Sequence, residues 1–124
     1  MKAATVLFAH GARDPRWVEP FAAVAERLRH DVPDRPVVLA FLELMRPDLG
    51  EAVALLAAEG AGRIDVVPLF LGSGGHVRHD LPALLDGLRA AYPGVDLRLH
   101  RAVGESVLVI EAMARAARQA ALDE

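Results

Sequence analysis

Residues 64–80 read IDVVPLFLGSGGHVRHD, and the way this stretch divides decides the fold. Residues 64–71 are an apolar run of strand length, and the glycines after them open a loop that carries Ser73 and two histidines, His76 and His79. Beyond the loop, Leu81, Leu84, Leu85 and Leu88 repeat at the spacing of one helix face. Pro82 is tolerated only near a helix start, so the helix is expected to begin close to Asp80, with Gly75 and His76 still in the loop. The stretch is therefore a strand, a glycine loop and a helix.

Working outward, the same unit recurs. Apolar runs of strand length stand at residues 3–9, 37–42 and 95–99, each followed by helical spacing. In the second helix Leu49, Ala52, Val53 and Leu56 share a face, Asp48 and Glu51 have capping-box spacing, and Gly60 suits the stop. The first helix puts Trp17, Phe21, Val24 and Leu28 on one side, expected to be core, while Pro20 sets residues 14–19 apart as a turn or kinked start. The fourth, from about residue 105 to 122, carries Val107, Ile110, Ala114 and Ala117 on a narrow stripe suited to close packing on the sheet or on a partner. Four alternating units imply an α/β fold in which helices cover both faces of a four-stranded parallel sheet. The expected strand order is 2-1-3-4, which opens a crevice between strands 1 and 3 at their carboxyl ends. His10, Glu43, the loop 71–76, and His100 with Arg101 all fall at that edge.

A chain of 124 residues that is 53% hydrophobic is sized for one domain, taken as residues 1–124, and has no membrane-length apolar run. The opening MKAATVLFAHG is too short for a signal h-region with a cleavage site and reads as a buried strand, placing the protein in the cytoplasm. With no cysteine, disulfides and thiolate metal sites are excluded, so any metal must rest on histidine and carboxylate. The net charge of −3 leaves no polybasic footprint for nucleic acid.

The residues at the edge allow three chemistries. Small residues before a helix can turn backbone N–H groups toward an anion, but the first βα turn is HGARDPR rather than a dinucleotide fingerprint, and no phosphate-loop GxxxxGK[ST] occurs. His10 with Arg13 and Arg16 could serve phosphoryl transfer. His10 and His76, neutral imidazoles facing each other across the crevice, could hold a divalent metal in an open, exchangeable site. Against all three stands the plain alternative of loop histidines and a tight turn. His79 is a secondary metal candidate one turn from His76, and His30 suits the carboxyl end of its helix.

AHGARDPRW, FLEL followed by Pro47, and VVPLFLGSGGHVRHDLP, in this order, resemble the short sirohydrochlorin chelatases of the CbiX type over almost the whole chain. The resemblance implies a flavodoxin-like, chelatase-like three-layer domain. It also implies insertion of a divalent metal, cobalt first and iron or nickel next, into sirohydrochlorin on the way to cobalamin, sirohaem or a nickel cofactor. The metal is then a substrate and no cofactor is tightly bound. By position, His10 and His76 correspond to the metal-binding histidines, and His10 also to the proton acceptor. Glu43, Leu71, Gly72, Ser73, Gly74, Gly75 and His76 correspond to tetrapyrrole-contacting positions, and a homodimer is implied. Ala12 stands where the family commonly has serine. Arg13, Arg16, Arg46 and Arg78 are candidates to pair with substrate carboxylates. Because a metal-bound His10 nitrogen cannot take a proton, either its two roles are sequential or Glu43 or a metal-bound hydroxide takes one proton.

Overall fold

The computed structural model describes residues 2–72 and 74–123, the side chains of 75–78 excepted. Four strands, β1 (Lys2–Ala9), β2 (Val37–Phe41), β3 (Ala61–Pro68) and β4 (Asp96–Leu99), form one parallel sheet in the order β2-β1-β3-β4. The expected order holds. The helices are α1 (Glu19–Asp31), α2 (Leu49–Ala58), α3 (Gly75–Ala91) and α4 (Val107–Leu122).

Side-chain alternation along the strands sorts the core. Ala4, Val6 and Phe8 of β1 point with Ile64 and Val66 of β3 toward α2 and α3, where they meet Leu49, Val53, Leu56 and Leu85 in the main core. The opposite set, Leu7 and Val37 with half-buried Leu39 and Val67, meets Ala25 and Leu28 of α1 in a smaller cluster. The capping box of α2 forms in full, Asp48 accepting from the Glu51 amide and Glu51 from the Asp48 amide. The turn before α1 is a separate 3₁₀ segment, Pro15–Val18, as Pro20 required.

Three expectations need correction. α3 begins at Gly75, five residues before Asp80, so His76 lies in the first helical turn rather than in the loop. Pro82 sits inside this helix: proline removes a single N–H, and Leu81 and Leu85 buried on either side of it hold the helix to the core. β3 runs from Ala61 to Pro68 rather than over 64–71. Leu69 N–H still donates to the Phe8 carbonyl, after which the chain leaves the sheet.

The third correction concerns α1. Trp17 and Phe21 stack with ring centroids 4.5 Å apart but are only half-buried, Val24 is exposed, and Ala25 is the buried residue of α1. The fourth helix, expected to pack on the sheet or a partner, buries no residue within the chain. Val107, Leu108, Ile110 and Met113 are all exposed. One face of the sheet is thus fully roofed by α2 and α3, and the other carries α1 over its β2–β1 half.

Candidate functional site at the carboxyl edge of the sheet

Parallel pairing brings residues distant in sequence to one edge. Past the end of β1, the Leu42 amide donates to the Ala9 carbonyl at 2.8 Å and the Glu43 amide to the His10 carbonyl at 3.0 Å. Glu43 and His10 are therefore neighbours tied backbone to backbone. Gly11 makes this closeness possible: its φ is +94°, and a Cβ there would lie 1.8 Å from the Glu43 carbonyl oxygen. Leu44 carries the compensating turn at φ +66°.

On the other side of His10 lies Phe70. The two rings are 4.2 Å apart, centroid to centroid, at 32°, and Phe70 is itself buried against Phe8 at 5.9 Å. The exposed imidazole thus rests on a fixed aromatic plate, with Glu43 beside it. Both His10 and Glu43 are exposed to solvent.

The loop from Leu71 onward shows the same openness. Leu71 is 64% exposed, and at Gly72 and Gly74 a methyl group would meet nothing within 4 Å. Packing does not demand glycine at these two positions. Gly74 stands in extended conformation at the N-cap of α3 and has no side chain to satisfy the first amides of the helix. Underneath, the chain segment after β4 supports the loop: the Gly104 amide donates to the Phe70 carbonyl at 2.9 Å, and a Cβ on Gly104 would lie 1.7 Å from the Leu71 carbonyl oxygen.

Ser73 lies outside the described residues, as do the side chains of His76, Val77 and Arg78; the backbone places His76 in the first turn of α3, directly after this loop. Among the described residues no group of three or more His, Asp or Glu side chains could hold a metal ion by itself. His79 is exposed on the same helix.

The arginines divide. Arg16 binds Asp14 at 2.8 Å and holds that carboxyl below its usual range, and Arg46 is paired with Glu51, whose carboxyl it likewise lowers. His100, an edge residue by sequence, is committed elsewhere: its Nε2 lies 2.8 Å from Oδ1 of Asp65, a carboxylate 5% exposed on the α1 side of β3. Burial pushes the Asp65 carboxyl up, but the hydrogen bonds from Arg63 and His100 outweigh it and hold it low. Asp65 was not singled out from the sequence, though a lone acid in an apolar strand run is the signal that marks it. Phe70, Gly11 and Gly104 were also passed over. Their contacts run between residues about thirty to sixty apart and leave no local trace.

Residues 4–120 match the CbiX family. A sirohydrochlorin cobaltochelatase of Methanothermobacter thermautotrophicus is 38% identical over 84 residues, which make up 68% of this chain and 58% of that protein. The crystal structure of a protein of Marinobacter aquaeolei VT8, named for cobalamin (vitamin B12) biosynthesis and CbiX, superposes with a TM-score of 0.87 at 31% identity, covering 98% of this chain and 99% of the other. The sirohydrochlorin chelatase SirB of Bacillus subtilis subspecies spizizenii, solved in complex with cobalt, superposes at 0.83 with 27% identity. The alignment takes in 96% of this chain and 51% of SirB, so the present chain corresponds to about half of that enzyme.

Proposed function

We propose that this chain, which belongs to the CbiX family, inserts a divalent metal ion, cobalt foremost, into sirohydrochlorin, with iron and nickel as alternative substrates. The observation that carries the proposal is the pairing of His10 and Glu43 at the open carboxyl edge, fixed by backbone bonds and by the Phe70 plate. The α/β domain of residues 1–124 would supply one half of the working unit and a second identical copy the other, since SirB is about twice as long. Among the described residues no helix is long and apolar enough to cross a membrane.

Insertion has three requirements. The metal must shed water, two pyrrole protons must leave, and the macrocycle must be held with its nitrogens toward the metal. One imidazole nitrogen of His10, with His76 from the α3 turn, would hold the ion by two neutral ligands, loose enough for transfer. A His10 nitrogen that holds metal takes no proton, so the proton would go to the carboxylate of Glu43, the residue whose amide is bonded to the His10 carbonyl. Leu71 and residues 72–76 would form the macrocycle floor. The open space above Gly72 and Gly74 admits a flat ring, and the uncapped amides at the start of α3 can donate to its carboxylates.

A phosphoryl-transfer role for His10 is the weaker alternative, because Arg16, one of the two cations it would draw on, is already engaged by Asp14. The deciding experiment incubates purified protein with sirohydrochlorin and Co²⁺, Fe²⁺ or Ni²⁺ and follows the tetrapyrrole absorbance. Metal-dependent turnover is expected and should fall at least about 100-fold in His10→Ala, the usual scale for losing a positioned catalytic group. No turnover with any of the three metals would leave a carrier or tetrapyrrole-binding module, and undiminished turnover in His10→Ala would remove the site assignment.

A further inference from the structure

Between β2 and α2 the chain makes a tongue, residues 42–47, that is pinned at both ends. On one side the Leu42 and Glu43 amides are bonded to the Ala9 and His10 carbonyls. On the other the Phe41 amide donates to the Pro47 carbonyl at 2.9 Å, and Arg46 is paired with Glu51 of α2. At the tip the Met45 amide donates to the Glu43 carbonyl at 2.8 Å, and Leu44 between them has φ +66°. A bond spanning two residues across a positive φ is the rare, strained form of the γ-turn.

Leucine is a costly residue for this turn. In the left-handed half of backbone space its Cβ crowds the following carbonyl, and glycine would hold the same turn without that crowding. Burial could offset the strain, yet Leu44 is 59% exposed. The chain therefore keeps a strained backbone and leaves an apolar side chain in water, at the residue directly after Glu43. Strain that brings no packing in return marks a surface made for a ligand.

The position of Leu44 indicates which ligand. In the strand order β2-β1-β3, Leu44 follows β2, His10 follows β1 and Leu71 follows β3. Leu71 is exposed as well, and so, to a lesser degree, is Leu42. Exposed leucines thus flank the His10 imidazole from strands two sheet positions apart, about 10 Å at the spacing of neighbouring strands. Between them lies His10 on its Phe70 plate. Two apolar jaws around a polar centre suit a flat ligand with a hydrocarbon body and its reactive nitrogens in the middle, and the space above Gly72 and Gly74 leaves it a way in.

We propose that Leu44 is a substrate-contacting residue: held out by the γ-turn, its side chain packs on the apolar body of the tetrapyrrole from the β2 side, as Leu71 does from the β3 side, and centres the macrocycle at His10. This rests on the function proposed above and adds a residue to its substrate grip. Because the tongue is fixed before a ligand arrives, little ordering is lost on binding.

The test separates the side chain from the turn. Leu44→Ala keeps the strained φ and loses the side chain, whereas Leu44→Gly loses both. Each should raise the Kd of metal-free sirohydrochlorin, titrated by absorbance, and its KM by about 10-fold, the low end of what burying a leucine is worth. The KM for Co²⁺ should stay within about twofold of wild type, because only the macrocycle grip is altered. Leu44→Gly should melt at or above wild type, and Leu44→Met should recover most of the affinity. Leu55→Ala, which removes a leucine 50% exposed on α2, should leave tetrapyrrole binding unaltered.

A Kd within about twofold of wild type in both Leu44→Ala and Leu44→Gly overturns the assignment. So does an equal rise in the KM for Co²⁺, which would mean that the turn had collapsed around His10, and so does a Leu44→Gly protein that melts well below wild type, which would make the side chain part of the core. A Leu44→Ala protein that changes oligomeric state by light scattering while its tetrapyrrole Kd holds gives the leucine to a protein contact and overturns it too. A wild type that binds sirohydrochlorin but inserts no metal removes the proposed reaction and leaves the Kd comparison to decide on Leu44. A wild type that does not bind it overturns both.

Discussion

Replacing Gly11 by alanine adds one methyl group and strains the backbone in two ways. At φ +94° an L-residue is in the left-handed half of backbone space, at a cost of about 1–2 kcal/mol. The methyl carbon would also fall 1.8 Å from the Glu43 carbonyl oxygen, where real Cβ contacts begin at 3.0 Å, so the two backbones must part by at least 1.2 Å, the difference. That movement loses the Glu43-to-His10 hydrogen bond and strains the Leu42-to-Ala9 bond beside it, together about 1–2 kcal/mol. The sum is roughly 2–4 kcal/mol, and for 124 residues, with an unfolding entropy of about 0.26 kcal/mol/K, the melting temperature should drop by roughly 8–15 °C.

Two companion variants separate the contributions. Gly60 has nearly the same φ, +93°, but open space around it, so Gly60→Ala should show the backbone cost alone, roughly 4–8 °C. Gly72→Ala carries neither penalty and should melt close to wild type. Calorimetry of the four proteins is the assay, with metal insertion measured on the same samples, because parting Glu43 from His10 should slow Gly11→Ala beyond its loss of stability. If Gly11→Ala melted within a degree of Gly60→Ala, the steric account of this turn would be refuted.

Other outcomes follow from single contacts. Glu43→Gln should lower kcat by about 10²–10⁴ while leaving Co²⁺ binding, measured by calorimetry, near wild type; equal losses in both would make Glu43 a ligand instead. Phe70→Ala should cost about 3–5 kcal/mol in denaturant unfolding, since a ring buried between Phe8 and His10 is lost. Asp65 has a folded pKa held below its unfolded value of about 3.9, so its contribution is full above that pH and disappears as the pH falls through the folded value. Melting curves between pH 2 and 6 should therefore converge for wild type and Asp65→Asn at the acid end and separate above about pH 4, with wild type the more stable.

Where local periodicity carries the information, the sequence was enough. Strand order followed from alternation of apolar runs with helical spacing, and the α2 cap from Asp48 and Glu51 three residues apart. His10 and Glu43 were legible as edge residues because each follows a strand. Their mutual distance was not, since it depends on Gly11 passing against a carbonyl 32 residues along the chain. The start of α3 was misplaced because Pro82 weighs heavily in a local rule, whereas the helix is held by leucines packed on distant strands. The fourth helix shows the opposite case: its stripe was plain in the sequence, but a stripe names no surface to cover it. His100 was drawn to the edge by its position and away from it by Asp65, thirty-five residues earlier.

The bond that joins Glu43 to His10 is made by peptide groups alone, an N–H and a carbonyl that every residue but proline can supply. The scaffold therefore fixes two addresses without dictating what occupies them. Side chains at positions 10 and 43 can be exchanged for other ligands or bases while the frame between them persists, provided Gly11 stays. On the proposed function, metal preference would be a property that two or three substitutions can retune on an unchanged backbone.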